Sequence, residues 1–454
     1  MYPVGYKDTR IMAETDIGQD KAISCPHPEE ALTEAEWEMD WDVIVVGGGV
    51  IGLWSALYLA RSGAKVLVLD GGTGQDCCSV GNAGLLAPSR CKPLPGPGRI
   101  REGIAGMFSS SGYSPGLSFG LDPDLWGWLL RFALHCRRSP FREGSRILLE
   151  MGLQSLELME AEFGQEEETF PAGEGVLYPY FQRSGWVRAV HQVRSRQTPG
   201  LEADLLSPGE AKEVEPGLSP SVVGAVLQER DRRTEPERLM SRLQEVLHRE
   251  GVRMLSLTRV YALDTGMRGG VQRVRTTRGS LRAKQVVLAA GSGTRDVLQS
   301  LGLWLPLRSG AGWSISFSAA DPVPKRGMLL EEARVGITPW AGGFRVTGGL
   351  ELSGREKGIS RLGLQGVLRQ ARSFMPGLDY SGRPRIWRGH RPLTPDGLPV
   401  VGRMPGKGNV WVASGHANLG LTLGAASGSR VAGAMGGFGE EPIHALAPDR
   451  FLRD

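Results

Sequence analysis

The chain has 454 residues, more than one hydrophobic core usually organises, so we expect two or three domains. Hydrophobic residues make up 41% and charged residues 22% of the chain, as in ordinary globular proteins. The net charge of +4 is small, and acidic and basic residues are interspersed, so we expect no nucleic-acid partner.

The first 40 residues differ from the rest of the chain. Residues 1–40 are polar, become acidic towards their end and lack the apolar core of a signal peptide, so we expect a flexible lead. No apolar run approaches the length of a transmembrane helix. We therefore expect a cytoplasmic protein, with at most peripheral contact with the inner face of the cell membrane.

The five cysteines are odd in number and show no C-x-x-C spacing. This usage favours a reducing compartment and predicts no metal site. Cys77 and Cys78 are adjacent, and a covalent thioether between one of them and a flavin is conceivable. A packing role for small, apolar side chains is the favoured interpretation of this pair.

Residues 41–70 predict a strand, a glycine turn, a helix and a second strand. Residues 42–46 form a short β-branched run that leads directly into G-G-G-V-I-G, and an amphipathic helical pattern continues to residue 62. The second strand, residues 65–69, ends on Asp70, about 20 residues beyond the first glycine. This arrangement is typical of a dinucleotide-binding βαβ unit.

Each glycine of this motif has a mechanical task. Gly47 makes the tight turn, Gly49 lets the backbone approach a pyrophosphate, and Gly52 allows close packing of helix on strand. The start of the helix offers free N–H groups to the phosphates. Asp70 can accept hydrogen bonds from a ribose hydroxyl and would repel a 2′-phosphate, which favours FAD or NAD over NADP.

The remaining elements are predicted from periodicity and capping signals. A Pro- and Gly-rich stretch at residues 92–98 marks a first boundary. Helices are predicted over residues 125–134, 145–163, 207–214, 236–249 and 362–374. Strands are predicted over residues 176–180, 284–288, 305–317, 334–338, 344–348 and 410–413.

Three further segments place small residues where a backbone can pass close to a ligand. Residues 77–88 are apolar and aperiodic, as in a loop beside a flat ligand, and the strand at 284–288 runs into Ala289-Ala290-Gly291. Residues 410–435 again predict a strand, a glycine-bearing turn and a helix. We therefore expect both ends of the chain to converge on one ligand.

Five separated motifs together resemble the FAD-dependent amine and D-amino acid oxidoreductases, the DAO family. In chain order they are G-G-G-V-I-G, S-V-G-N-A-G-L-L-A-P, V-V-L-A-A-G-S-G, G-H-R-P-L-T-P-D-G-L-P-V-V-G and G-H-A-N-L-G-L-T. Within that family the chain looks closest to the small D-amino acid dehydrogenases. The resemblance covers Asp42 to about Gly437.

The resemblance implies an α/β fold with two domains. One is a discontinuous, Rossmann-like FAD-binding domain, and the other is an inserted α+β substrate domain built on an antiparallel sheet. After the lead, residues 1–40, the implied FAD-binding domain comprises residues 41–95, 220–304 and 381–454. The implied substrate-binding domain comprises residues 96–219 and 305–380.

The resemblance also implies FAD as a non-covalent cofactor and gives its site. The first glycine motif and Asp70 would hold the ADP half, while residues 82–84 and 415–422 would lie along the isoalloxazine. The implied cofactor-binding residues are Gly47, Gly49, Val50, Ile51, Gly52, Asp70, Asn82, Ala83, Gly84, Leu85, Ala290, Gly291, Gly415, His416, Leu419, Gly420, Leu421 and Thr422.

Arg391 matches the family arginine that pairs with the substrate carboxylate, and a guanidinium suits that role because it binds carboxylates bidentately. His416 is implied to orient or polarise the flavin, and a buried structural histidine is an equal alternative. His390 could face the substrate pocket. Tyr178, Trp313 and Asn418 are further pocket candidates; glycine-oxidising relatives can carry an arginine where Asn418 stands.

The resemblance implies an enzyme that oxidises a D-amino acid or a cyclic imino acid of the D-proline type. Hydride would pass from the α-carbon to flavin N5, and the electrons would go to a quinone or another carrier. One alternative is an oxygen-dependent oxidase of glycine, sarcosine or another small amine. Another is a non-catalytic flavin-binding subunit. The oligomeric state stays open.

Overall fold

The computed structural model describes residues 32–73, 77–101, 123–171, 173, 175–195, 201–266, 269–318, 322–340, 342–352, 361–436 and 443–452. Within these ranges the helices are α1 Glu34–Glu38, α2 Val50–Arg61, α3 Pro123–His135, α4 Arg138–Phe163, α5 Arg183–Ser195, α6 Pro208–Val214, α7 Pro236–Arg249, α8 Thr294–Gln299, α9 Arg361–Phe374 and α10 Gly420–Gly436.

The strands fall into two large sheets and one short pair. In chain order they are β1 Asp40–Val46, β2 Val66–Leu69, β3 Leu85–Leu86, β4 Val176–Tyr180, β5 Ala203–Leu206, β6 Gly224–Gln228, β7 Arg232–Arg233, β8 Arg253–Leu255, β9 Val260–Thr265, β10 Val271–Thr276, β11 Gly279–Leu288, β12 Arg308–Ser318, β13 Gly327–Leu330, β14 Val335–Trp340, β15 Gly343–Glu351, β16 Arg385–Leu393, β17 Val400–Arg403 and β18 Val410–Ser414.

The first sheet is mainly parallel and carries the glycine motif. Its order is β17-β18-β11-β1-β2-β8, and β10 and β9 extend it in an antiparallel arrangement from the first half of β11. Side chains of β1 alternate between two apolar cores: Val43 and Val45 lie in the core that contains α2 and α10, whereas Ile44 and Val46 lie in the other. Both faces are covered, which explains the continuous apolar run.

The second sheet is mainly antiparallel, in the order β16-β12-β15-β14-β13-β4-β6-β5, with β13 parallel to β4. One face is apolar and packs under α9 through residues such as Trp313, Ile315 and Phe317. Alternate residues of β12 and β15, such as Ser316 and Arg345, point to the opposite face. We call this opposite face the site face.

The predicted α/β architecture is confirmed, and most predicted helices and strands match within a few residues. Some boundaries differ by three residues or more; strand β11, for example, begins at Gly279 rather than at residue 284. Helix α4 begins at Arg138 rather than near residue 145. Strand β12 begins at Arg308 rather than near 305, since Pro306 has no N–H to give to a ladder.

The prediction of a flexible lead over residues 1–40 is wrong for its last part. Residues 1–31, including Cys25, lie outside the described residues, but residues 34–38 form α1 behind a capping box at Thr33. Leu32 is buried in the core, and Glu36 pairs with Arg253 at 3.1 Å. Residues 32–40 are therefore anchored to the first sheet.

The domain boundaries stay a prediction, which the sheets let us refine. Strands β6 and β16 both pair within the second sheet, although they lie in segments that we predicted to belong to the FAD-binding domain. We therefore propose to move both strands to the substrate-binding domain. The crossings between domains then follow β6 and β16 rather than preceding them.

Candidate active site

A cavity of about 1620 Å³ lies between the first sheet and the site face of the second sheet. It exceeds the roughly 300–1,000 Å³ of common small-molecule pockets. Its described lining includes the glycine turn after β1, the segment around Asn82, strands β12, β15 and β16, and the start of α10. The cavity has room for a dinucleotide together with a small substrate.

The glycine turn after β1 is built by two close backbone approaches. Gly47 has φ +114°, and a Cβ there would lie 2.5 Å from the backbone oxygen of Ala289. A Cβ on Gly52 would lie 1.9 Å from the backbone oxygen of Gly47. Larger residues at either position would push the helix off the strand, as the sequence predicts.

The turn leaves one wall free for an anion and fixes an acid beside it. A Cβ on Gly49, the N-cap of α2, would contact only Ser79 Oγ at 3.4 Å, and the first turn of α2 carries no acidic residue. Asp70 accepts hydrogen bonds from the backbone N–H groups of Gly48, at 2.6 Å, and Gly72, at 2.8 Å. Asp70 lines the cavity, and each of its carboxylate oxygens can accept a further hydrogen bond. These groups fit a pyrophosphate and a ribose.

The segment with Asn82 and Ala83 is tied to the site face. Arg345 Nη1 donates to the backbone oxygens of Val80 and Asn82, each at 3.0 Å. Thr338 Oγ1 donates to the backbone oxygen of Ala83 at 2.8 Å. The second sheet therefore holds this segment in the cavity wall, where a flat ring can lie against it.

Arg391 lies on the site face beside this segment. Its Nη1 donates to the backbone oxygen of Gly349 at 2.6 Å, and a Cβ on Gly312 would lie 2.3 Å from that same nitrogen. The guanidinium thus packs against Gly312 on the neighbouring strand β12. In this position it lines the cavity and can present further donors to a carboxylate.

His390 is held at both ring nitrogens. Nδ1 lies 2.7 Å from Ser309 Oγ, and Nε2 lies 3.1 Å from Arg388 Nη1. A guanidinium only donates, so Nε2 accepts and the proton of the neutral ring sits on Nδ1. The lone pair that a catalytic base would use is therefore engaged by Arg388.

His416 is buried and neutral. Burial lowers its pKa to about 3, because the interior disfavours the charged imidazolium. Nε2 shares a hydrogen bond with Ser427 Oγ at 2.9 Å, while Nδ1 is buried with no partner among the described residues. The ring lines the cavity, so Nδ1 is free to meet a polar atom of a bound ring system.

The start of α10 forms the far wall. Asn418, Leu419, Gly420, Leu421 and Thr422 all line the cavity, and Thr422 Oγ1 donates to the backbone oxygen of Leu85 at 3.3 Å. The positive end of the helix dipole faces the cavity here, which favours negative charge on a bound ring.

Most sequence-predicted cofactor residues line the cavity, and three do not. Gly47, Gly49, Val50, Ile51, Asp70, Asn82, Ala83, Leu85, Ala290, Gly291, His416, Leu419, Gly420, Leu421 and Thr422 lie in its wall. Gly52, Gly84 and Gly415 lie behind it and pack against Gly47, Thr234 and Thr394 respectively. Their contribution is to shape the wall.

Tyr178 was predicted as a pocket residue, and this prediction is wrong because Tyr178 does not line the cavity. Its side chain is fully buried, and its hydroxyl donates to Asp231 beneath Arg90. Burial raises the pKa of Tyr178 well above its ordinary value. Trp313 does line the cavity, although most of its ring packs under α9.

Sequence reasoning missed residues whose partners are distant in the chain. The Trp387 ring lies so close to Gly81 that a Cβ there would be 2.1 Å from it. Cys78 Sγ donates to the backbone oxygen of His390 at 2.9 Å. Burial raises the pKa of Cys78, as it raises that of Cys77 to about 11, so both thiols stay protonated at neutral pH. The spacing Trp387-x-Gly389 is the one local signal that could have indicated a ring over glycine.

The described part of the chain holds no group of three or more His, Cys, Asp or Glu side chains placed to bind a metal ion. In that same part, no helix is long and apolar enough to cross a membrane.

Comparisons with known proteins agree with this geometry. The family model described as FAD dependent oxidoreductase, DAO, matches residues 42–434. A D-amino acid dehydrogenase of Rhizorhabdus wittichii is 29% identical, over 87% of this chain and 96% of that protein. A D-amino acid dehydrogenase of Vibrio cholerae is 27% identical, over 90% of this chain and 98% of that protein.

Solved structures share the fold. Glycine oxidase from Bacillus cereus superposes with a TM-score of 0.69 at 21% identity, over 90% of this chain and 97% of that chain. L-proline dehydrogenase from P. horikoshii superposes with a TM-score of 0.68 at 18% identity, over 91% and 98% of the two chains.

Proposed function

The chain belongs to the DAO family of FAD-dependent oxidoreductases, and we propose that it oxidises a D-amino acid or a cyclic imino acid of the D-proline type at the α-carbon. FAD is its cofactor, and the glycine turn, Asp70 and the start of α10 fit the two halves of that molecule. The D-amino acid dehydrogenases among its relatives support the substrate class.

One observation carries the proposal. Arg391 and the anchors of the Asn82 segment lie on the same face of the second sheet, so a carboxylate at Arg391 lies in the space that this segment borders. A bidentate ion pair fixes two atoms of the substrate and thereby orients the neighbouring α-carbon. Positioning of this kind can contribute several kcal/mol to catalysis.

FAD, when bound, supplies the two-electron acceptor for the α C–H bond. Loss of two electrons and two protons converts the amine into an imine, which water hydrolyses to a 2-oxo acid and ammonia when the amine is primary. The protein's part is to hold the carboxylate at Arg391 and to enclose the reacting atoms between the two sheets.

Neither histidine is placed as a strong base. His416 has a pKa of about 3, and the Nε2 lone pair of His390 is engaged by Arg388. We therefore propose that the substrate amine reaches the site already neutral, after losing its proton to water. His416 orients the cofactor, and His390 positions the β16 wall.

We also propose a quinone or another carrier as electron acceptor, reached by peripheral contact with the inner face of the cell membrane. Helix α3 supports this contact: Trp126, Leu130 and Leu134 are 52%, 64% and 50% exposed, one turn apart along one side. Arg137 and Arg138 follow the helix and are exposed. An apolar stripe beside basic residues suits an anionic lipid surface.

An anaerobic titration of the purified yellow protein tests the substrate class. D-amino acids or D-proline should bleach the flavin absorbance, and readmitted air should restore it slowly if a carrier is the acceptor. Bleaching by glycine or sarcosine alone, with rapid peroxide formation in air, would instead establish the oxidase alternative. No bleaching by any amine would contradict amine oxidation and favour the non-catalytic subunit or an unrelated substrate class.

A further inference from the structure

A second guanidinium lines the cavity, and no described residue forms an ion pair with it. Arg388 lies on β16, and its Nη1 is used by His390 Nε2 at 3.1 Å. Its other two nitrogens, Nε and Nη2, are buried, and no described residue accepts a hydrogen bond from either. Burying charged donors without acceptors is unfavourable, so this arrangement indicates a site for an anion.

The two open donors form one edge of the guanidinium. Nε–H and one Nη2–H lie in the plane of the guanidinium and point in parallel from this edge, which matches the two oxygens of a carboxylate. The contact with His390 fixes the orientation of this edge, since Ser309 Oγ in turn holds Nδ1 of that ring at 2.7 Å. The edge is therefore preorganised before any ligand arrives.

Trp313 adds a third donor next to this edge. It is the direct cross-strand partner of Arg388, so the two side chains leave the sheet on the same face. The ring is 5% exposed, its Nε1 is buried with no partner among the described residues, and it also lines the cavity. Two neighbouring side chains of the cavity wall thus carry buried donors that have no acceptor among the described residues.

This space differs from the Arg391 site. Positions 388 and 391 are an odd number of residues apart in an unbroken ladder, so their side chains lie on opposite faces of β16, the edge strand of the sheet. Both residues nevertheless line the cavity, which therefore reaches both faces of this strand.

We propose that Arg388 and Trp313 form a second carboxylate-binding subsite, on the face of β16 opposite Arg391. The ligand is a carboxylate, either on the side chain of an acidic substrate, which rests on the proposed function, or on a separate molecule such as a dicarboxylate. Through His390 and β16, a carboxylate bound here also acts on the strand that carries Arg391.

Glutarate tests the subsite without turnover, because it has two carboxylates and no amine to oxidise. In holoenzyme carrying Arg391→Met, which removes the first carboxylate site, glutarate should still raise the Tm. Adding Arg388→Met should weaken glutarate binding at least about tenfold. Arg385→Met is the matched control: Arg385 lies on the same strand and is 53% exposed, so its loss should leave glutarate binding unchanged.

Arg388→Lys gives a second variant in case Arg388→Met does not fold. Lysine keeps the positive charge but lacks the two-donor edge, so glutarate binding should again weaken at least about tenfold. Equal glutarate affinity with and without Arg388 would overturn the subsite, whether or not any amine reduces the flavin. Equal affinity with lysine at this position would overturn it as a two-donor carboxylate site.

Substrate kinetics separate the two sources of the carboxylate. If the acidic side chain of the substrate binds here, Arg388→Lys should lower kcat/KM for D-glutamate or D-aspartate at least about tenfold more than for D-alanine. If a separate carboxylate binds, the ratio between these substrates should stay the same while glutarate binding is lost. Either result supports the subsite. If Arg388→Lys changes neither the ratio between the substrates nor the binding of glutarate, the subsite is contradicted.

Discussion

Arg345 on the second sheet donates a hydrogen bond to the backbone oxygen of Asn82, 263 residues away in the chain, at 3.0 Å. The arginine is 4% exposed and also pairs with Glu237 on α7. One buried cation thus joins the second sheet, helix α7 and the wall segment that we assign to the flavin ring.

We predict that Arg345→Met destabilises the protein by about 1–3 kcal/mol and lowers FAD occupancy, because two backbone oxygens lose their donor and the partly buried Glu237 loses one of its two arginine partners. Chemical denaturation and the flavin-to-protein absorbance ratio measure both effects. Arg385→Met removes the 53% exposed partner of the same Glu237 and should cost only about 0–1 kcal/mol. Equal costs for the two variants would show that burial of Arg345 is not decisive.

The glycine motif gives two variants with different outcomes. Gly49→Val should fold but lack FAD, since its side chain enters cavity space and meets little protein apart from Ser79. Gly52→Ala should impair folding itself, because its Cβ would lie 1.9 Å from the Gly47 oxygen. Circular dichroism and flavin absorbance separate these outcomes. A yellow Gly49→Val protein would contradict the cofactor site.

A matched control for these glycines lies in α3. A Cβ on Gly127 would meet no atom of the described residues within 4 Å, so Gly127→Ala should keep FAD. It should stabilise the helix by about 0.5–1 kcal/mol, because alanine loses less backbone entropy than glycine. Loss of FAD in this control would mean that flavin content reports general damage rather than the motif.

His416 predicts a specific acid sensitivity. Its folded pKa of about 3 lies below the unfolded value of about 6.5, so the unfolded state binds the extra proton and stability falls as pH drops below 6.5. Between pH 6.5 and 5 this group should cost about 2 kcal/mol of unfolding free energy. In His416→Gln, which does not titrate there, the decline should be smaller by that amount.

The same pKa predicts how activity responds to pH. No ionisation of His416 should appear in kcat between pH 5 and 9, and kcat/KM should rise with pH as the free amine becomes neutral. Steady-state rates measured across this pH range give the pH dependence of both kcat and kcat/KM. A kcat limb near neutral pH that disappears in His416→Gln would contradict a permanently neutral imidazole.

The exposed side of α3 predicts binding to anionic vesicles. Leu130→Glu with Leu134→Glu should abolish cosedimentation with phosphatidylglycerol vesicles while the rate with a water-soluble dye acceptor is retained. Val187→Glu on α5 is the control, since Val187 is 58% exposed but belongs to a different helix. Vesicle binding that survives the α3 changes would remove this helix from the proposed membrane contact.

Local signals in the sequence predicted the parts of the site that local chemistry determines. The turn at Gly47, the acid at Asp70 and several strands of each large sheet follow from glycine spacing and apolar periodicity, which act over a few residues. The motifs around Arg391 added the function, because they resemble a family in which that position binds carboxylate.

Long-range contacts could not be predicted in this way. The bond from Arg345 to Asn82 and the ring of Trp387 over Gly81 join residues far apart in sequence, and no periodicity marks them. Tyr178 was misassigned for the same reason: its partner Asp231 lies on another segment, and their contact turns the hydroxyl away from the cavity. The faces of β16 on which Arg388 and Arg391 lie can be assigned only from the register between β12 and β16.

The most direct test of the account is the anaerobic flavin titration with matched D- and L-amino acids, run on the wild type and on Arg391→Met. We predict that D-amino acids or D-proline bleach the wild type, and that Arg391→Met keeps FAD but needs roughly 30-fold more substrate or worse, since the carboxylate loses its partner. Bleaching at the same substrate concentration in both proteins would contradict the role of Arg391. No bleaching by any amine in the wild type would contradict amine oxidation itself.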